Sequence, residues 1–251
     1  REFLHKTAKL SVRRVVFVPH GARFWFLCHT ILKGVFPMTT KTHARTRTLV
    51  EGALMIALST VLSYFPIYEL PHGGSVTFVS MLPIILMSLR HGPKWGLFTA
   101  FVHSLIQLFL GLKNLTYCQT LGAQIGCVLL DYVLAFTVLG LAWYIARPFP
   151  SSKVGRAVGA GVSTFVVCVL RYVCSVLSGY VVWKDYDYAF DWMTNFGWGQ
   201  AIEGMAENAL CWLYSIVYNA TYMIPEALFT VAAAVVLMLA APKLFDARAK
   251  L

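Results

Sequence analysis

The sequence predicts an all-α integral membrane protein, a bundle of six helices, on three observations. Hydrophobic residues make up 58% and charged residues 13% of the 251 residues, with a mean hydropathy of +0.66; soluble domains carry about 25% charged residues. Six apolar runs, at 49–68, 78–90, 95–112, 120–146, 155–183 and 209–241, are separated by loops, and each reads as a spanning helix. Lys and Arg gather at alternate ends of those runs, as membrane topology requires.

Taken in order, residues 1–37 read as a translated leader outside the fold. Lys33-Gly34-Val35 is compatible with a purine-rich ribosome-binding sequence just before the codon for Met38. A targeting peptide fits less well, because His20, Arg23 and Lys33 interrupt the short apolar stretch and no A-x-A site follows. Residues 38–48 are a basic N-terminal segment, 49–245 the six-span domain and 246–251 a tail. Pro66, Pro71, Gly73 and Gly74 punctuate the first loop, Gly92-Pro93 the second, and Pro148 and Pro150 the fourth. The second run is short and contains Pro83, so its helix is expected to be tilted, kinked or shielded by neighbours.

The net charge of +10 is concentrated at the start, where residues 1–48 hold ten Lys/Arg and one acid. That placement argues topology rather than nucleic-acid binding. After Met38, eleven basic residues (among them Lys41, Arg90, Arg147 and Lys243) fall on one side of the six runs and only Lys113 and Lys184 on the other. The positive-inside rule then puts both termini in the cytoplasm. The 184–208 loop lies outside, where Asp185, Asp187, Asp191, Glu203 and Glu207 form either a solvated face or an attractor for a cation.

Asp131 and Arg171 are ionisable residues within apolar runs. A charge at the centre of a spanning helix costs roughly 2.5–3.5 kcal/mol on insertion scales, so such a residue marks a site or a partnership. Asp131 is eleven residues from the outer end of its run, Arg171 twelve and Asn219 ten, which puts all three roughly 15–18 Å deep. Ser175, Trp183 and Tyr214 lie nearer the outside. Two readings follow. Asp131 with the rings of Tyr132, Trp183 and Tyr214 suits an aromatic cation, and Asn219 can donate and accept toward an aminopyrimidine edge. Alternatively, an Asp131–Arg171 ion pair braces two spans while Trp183 and Tyr214 serve as interfacial aromatics. Small residues four apart, Ala53/Ala57 and Gly155/Gly159, permit close helix approach, and Ala53/Ala57 is the better candidate for a surface facing a partner. The six cysteines have no metal-ligand spacing and read as packing residues. No cofactor is implied.

Several ordered segments resemble the thiamine-specific substrate-binding (S) components of energy-coupling-factor transporters, the ThiT/YuaJ family. They are Pro71–Thr77 (PHGGSVT), Met81–Arg90 (MLPIILMSLR), Leu130–Phe136 (LDYVLAF), Leu170-Arg171-Tyr172 with Ser178-Gly179, and Tyr214–Met223 (YSIVYNATYM). The resemblance covers about 49–245. It implies a six-helix subunit of the bacterial cell membrane that takes thiamine from outside, served by a shared transmembrane scaffold and two ATPase subunits. It also implies substrate-binding roles for Asp131, Tyr132, Arg171, Ser175, Trp183, Tyr214 and Asn219, and scaffold docking through Ala53 and Ala57. The chain departs from the family at Ser175, where a His is usual, losing an aromatic face and a titratable ring. The first loop lacks a Trp, leaving Tyr68 or His72 as the lid aromatic. Specificity for a thiamine relative remains an alternative reading. With no P-loop, the chain needs partners to use ATP. An autonomous secondary transporter, using Asp131 or His103 as a proton relay, is a second alternative, although no internal repeat supports it. No nucleophile or metal motif points to an enzyme.

Overall fold

A computed structural model describes residues 40–70, 74–118 and 120–246, with side chains from Ala44 onward. The leader assigned to 1–37 and the lid candidate His72 lie outside the described residues. The chain divides into units 1–46 and 47–251. Of the first, the described part is helical from Thr40, with residues 44–46 exposed.

Each predicted span has a helical counterpart. They are α1 (Thr40–Tyr64), α2 (Leu82–His91), α3 (Pro93–Leu110), α4 (Leu121–Ala146), α5 (Lys153–Val181) and, after the short α6 (Tyr186–Met193), α7 (Glu207–Ala240). Among the described residues α4, α5 and α7 are long and apolar enough to cross a membrane, and the protein is a multi-pass membrane protein. Three boundaries differ from expectation. The first run ends at Tyr64, and Pro66–Glu69 (β1) pairs antiparallel with Ser75–Thr77 (β2). Helix α2 starts only at Leu82, after Val79 takes a positive φ of 53°. The 184–208 segment, expected as an outside loop, contains α6, capped by Asp185 Oδ1 accepting from Tyr188 N at 2.9 Å.

Pro83 falls in the first turn of α2, where its missing N–H has no intrahelical partner to lose. The helix is therefore short and shielded rather than kinked: Leu82 through Ser88 are all buried. Gly92, at φ 84°, makes the single-residue corner into α3, whose first residue is Pro93.

Helix α4 is not a uniform α-helix. It passes through a π segment at Val128–Leu134 and a 3₁₀ segment at Val138–Leu141. The second irregularity has a packing cause. A Cβ on Gly140 would lie 2.6 Å from Leu97 Cα, so α3 and α4 touch backbone to backbone. The buried Ser88 hydroxyl then donates to Gly140 O at 2.6 Å and accepts from Trp143 N at 3.2 Å. The protein thus has a hairpin end, where Leu70 and Val76 pack with α6 and the start of α7, and a basic end carrying Arg90, Arg147, Arg156 and Lys243.

Gly140→Ala is expected to lower thermal stability by about 1–3 kcal/mol, because the opposing atoms are backbone and cannot repack. Gly122→Ala, where a Cβ meets nothing within 4 Å, should leave stability unchanged or slightly raised. Melting curves of the two variants in detergent check the contrast.

Candidate functional site

Asp131 lies inside the π segment of α4, a local widening that re-aims side chains and often accompanies functional sites. Its Oδ2 accepts from Trp183 Nε1 at 3.0 Å, tying α4 to the end of α5, and Cys127 and Ser178 flank the carboxyl. The Asp131–Arg171 ion pair, the alternative reading of these two residues, does not form. Arg171 Nη1 is 3.4 Å from Glu226 Oε2 and 2.9 Å from Met81 Sδ, and its guanidinium sits 4.5 Å over the Phe136 ring.

The partnership follows from side-chain direction, since side chains lean toward the N-terminus of their own helix. In antiparallel α5 and α7, Arg171 therefore leans toward the basic end and Glu226 leans back to meet it. The depth agreement between Arg171 and Asn219 fails for the same reason. Asn219 is instead level with Ser175, whose carbonyl accepts from Asn219 Nδ2 at 3.4 Å. That carboxamide is held further by Ser215 O at 2.8 Å and by Tyr222, whose hydroxyl donates to Asn219 Oδ1 at 2.6 Å. Gly179 lets the helices close at this level, because a Cβ there would collide with Ser215 Oγ.

The remaining candidates fall into separate surroundings. The Tyr132 hydroxyl donates to Gly111 O at 3.1 Å and accepts from Asn114 Nδ2 at 3.0 Å, so it fastens α4 to the end of α3. Its ring is buried with Cys118 and Cys127, beside Trp183. Tyr214 belongs to an aromatic cap at the hairpin end, with Tyr188, Trp192 and Tyr218 around it at centroid distances of 5.3–5.9 Å. Burial raises the Tyr188 phenol above its ordinary pKa. Tyr68 is exposed on β1, paired with Val76 of β2. Ala53 and Ala57 are exposed on α1. His103 is buried, with Nε2 3.3 Å from Ser59 Oγ and its ring edge-on to Phe136.

Two features were missed in the sequence. Glu226 is 1% exposed, accepts from Thr77 Oγ1 at 2.5 Å and Ser80 Oγ at 3.2 Å, and pairs with Arg171. The rule that singled out Asp131 applies equally to an acid inside the longest apolar run. Tyr222 and Trp192 were the other omission. Tyr222 stands between Asn219 and Gly74 of the hairpin, where a Cβ would come within 2.6 Å of its ring; Gly74, at φ 88°, suits both the turn and that approach.

The sequence profile of the thiamine transporter protein family (Thia_YuaJ) matches residues 49–246. Thiamine transporter ThiT of Bacillus subtilis (strain 168) is 29% identical over 203 residues, spanning 78% of this chain and 92% of its own length. The structure of ThiT from Listeria monocytogenes shares the fold, with a TM-score of 0.61 at 24% identity over 80% of this chain and 98% of that one.

Glu226→Leu, which strands Arg171 in the interior, should cost about 3–5 kcal/mol. Arg171→Met combined with Glu226→Leu should recover most of that loss, because no lone charge is left buried. A double-mutant cycle of detergent melting temperatures measures both.

Proposed function

The chain belongs to the thiamine transporter protein family (Thia_YuaJ), and from that premise we propose that it is the thiamine-binding subunit of an energy-coupling-factor importer in the bacterial cell membrane. The observation that carries this reading is the Asp131 carboxylate, set in a π segment of an apolar helix and fixed by the Trp183 indole. Thiamine joins a cationic thiazolium to an aminopyrimidine. The carboxylate answers the cation or the exocyclic amine, and aromatic faces attract the positive ring.

The residues divide the work. Asp131 and Trp183 form the charged and aromatic wall between α4 and α5. Asn219, oriented by Tyr222 and the Ser175 and Ser215 carbonyls, supplies a fixed acceptor on α7 through the second lone pair of Oδ1. Tyr214 and the cap around it cover the hairpin end. Tyr132 acts as a positioning residue for Asp131, since its hydroxyl is engaged with α3. Arg171 likewise acts through Glu226 and the packing of α2 and β2 rather than by touching the ligand. At Ser175, where the family usually has His, the neighbouring Tyr222 offers a ring from the opposite helix.

Orientation follows from the positive-inside rule, with both termini cytoplasmic and the hairpin end outside. The acidic side chains 185, 187, 191, 203 and 207 are all exposed there, and raise the local concentration of a cation. Energy comes from partners: a scaffold helix packs on the exposed small-residue face at Ala53 and Ala57, and two ATPase subunits drive the scaffold.

Titrating detergent-solubilised protein with thiamine should quench Trp fluorescence saturably at one ligand per chain. Asp131→Asn should weaken binding roughly tenfold to hundredfold, the worth of one hydrogen bond to a charged group, with little change in ligand-free melting. Tight binding of a different vitamin, with none of thiamine, would overturn the reading.

Ala53→Trp/Ala57→Trp should leave thiamine affinity intact and abolish uptake in cells co-expressing the scaffold and ATPases. Uptake by the chain alone in ATPase-free liposomes would favour a secondary transporter instead.

A further inference from the structure

The basic end of the bundle holds a cavity of about 340 Å³ between the close of α4, the connection 147–152, the first turns of α5 and the end of α7. It is separate from the candidate thiamine site, since Arg147 is sixteen residues along α4 from Asp131, roughly 24 Å at helical rise. We propose that this cavity is a binding site for the headgroup of an anionic phospholipid.

Its lining is amphipathic. Phe149, Met238, Phe245 and Ala160 give an apolar wall, and Arg147, Arg156, Ser151 and Asp246 give the polar side. The Arg147 guanidinium lies 5.6 Å over the Trp143 ring and has no carboxylate partner among the described residues. Arg156 donates through Nη2 to Asp246 Oδ1 at 2.9 Å and to Pro242 O at 3.5 Å. Asp246 therefore opposes an anion at one edge but is itself neutralised by Arg156, and Arg147 supplies the uncompensated charge. Gly159 lets Phe149 seat against α5, since a Cβ there would already stand 3.0 Å from Phe149 Cβ.

The uncompensated Arg147 guanidinium, with the Arg156–Asp246 pair at its side and an aromatic and aliphatic wall, matches a phosphodiester that continues into acyl chains. A free phosphate would leave the wall unused. The position agrees, because Trp143, Tyr144 and Arg147 at the end of a spanning helix belong at the level of the lipid headgroups. Basic pockets between helices at that level hold anionic headgroups by the same chemistry.

The test is native mass spectrometry of delipidated protein titrated with phosphatidylglycerol or with phosphatidylcholine of the same chains. One saturable phosphatidylglycerol adduct is expected, about fivefold stronger than that of phosphatidylcholine, the worth of one Arg near an anionic headgroup. Arg147→Gln should weaken it about fivefold, whereas Lys153→Gln, a nearby cation outside the cavity lining, should not. Ser151→Glu, which sets a like charge at the polar side, should weaken it too, and melting curves verify that each variant is folded. Equal affinity for the two lipids, equal losses in Arg147→Gln and Lys153→Gln, or displacement by equimolar inorganic phosphate would overturn the proposal.

Discussion

Glu226 is the acid on which the centre of the bundle converges. Its carboxylate takes a hydroxyl from β2, another from the turn before α2, and the guanidinium of Arg171 from α5. A charge kept out of water must be paired and hydrogen-bonded, and here every partner comes from a different element. Thr77, Ser80 and Arg171 therefore fix where the hairpin, α2 and α5 stand against α7. Pro225, immediately before it, removes one backbone hydrogen bond inside α7, in the turn where this network is packed.

From that anchor, successive turns of α7 toward the hairpin end set the candidate site. Tyr222 stands one turn above Glu226 and touches both Gly74 and Asn219. Asn219 follows, and then Ser215 against Gly179, where α5 and α7 approach closely. The aromatic cap of Tyr214, Tyr218 and Trp192 closes the stack. Hairpin and site residues thus share one helix face, so a shift of the hairpin is felt at Asn219 through a single side chain.

The opposite wall depends on the irregular course of α4. Backbone contact at Gly140 and the Ser88 hydrogen bonds hold its basic half against α2 and α3, while Tyr132 fastens its upper half to Gly111. Beside the Tyr132 attachment, the π segment carries Asp131 toward Trp183. The two ends of the molecule then differ in chemistry: acids and rings surround the hairpin end, and arginines with an amphipathic cavity mark the other.

The six apolar helices, their approximate limits and the sidedness of charge were legible in the sequence, because apolar length and basic-residue placement answer to the bilayer residue by residue. Asp131 and Arg171 stood out for the same reason: a charge inside an apolar run is costly wherever it points. Which charge meets which was not legible. Asp131 and Arg171 look like natural partners in sequence, yet Arg171 leans toward the basic end and finds Glu226, fifty-five residues away. The π segment and the Gly140 contact were equally hidden, since each arises from how one helix presses on another rather than from the residues of either alone. Sequence by itself determined what must be buried in the membrane and what must be partnered there. Only the tertiary structure decided the partners, because a side chain's reach depends on helix direction, rotation and backbone irregularity, which are set by packing among distant segments.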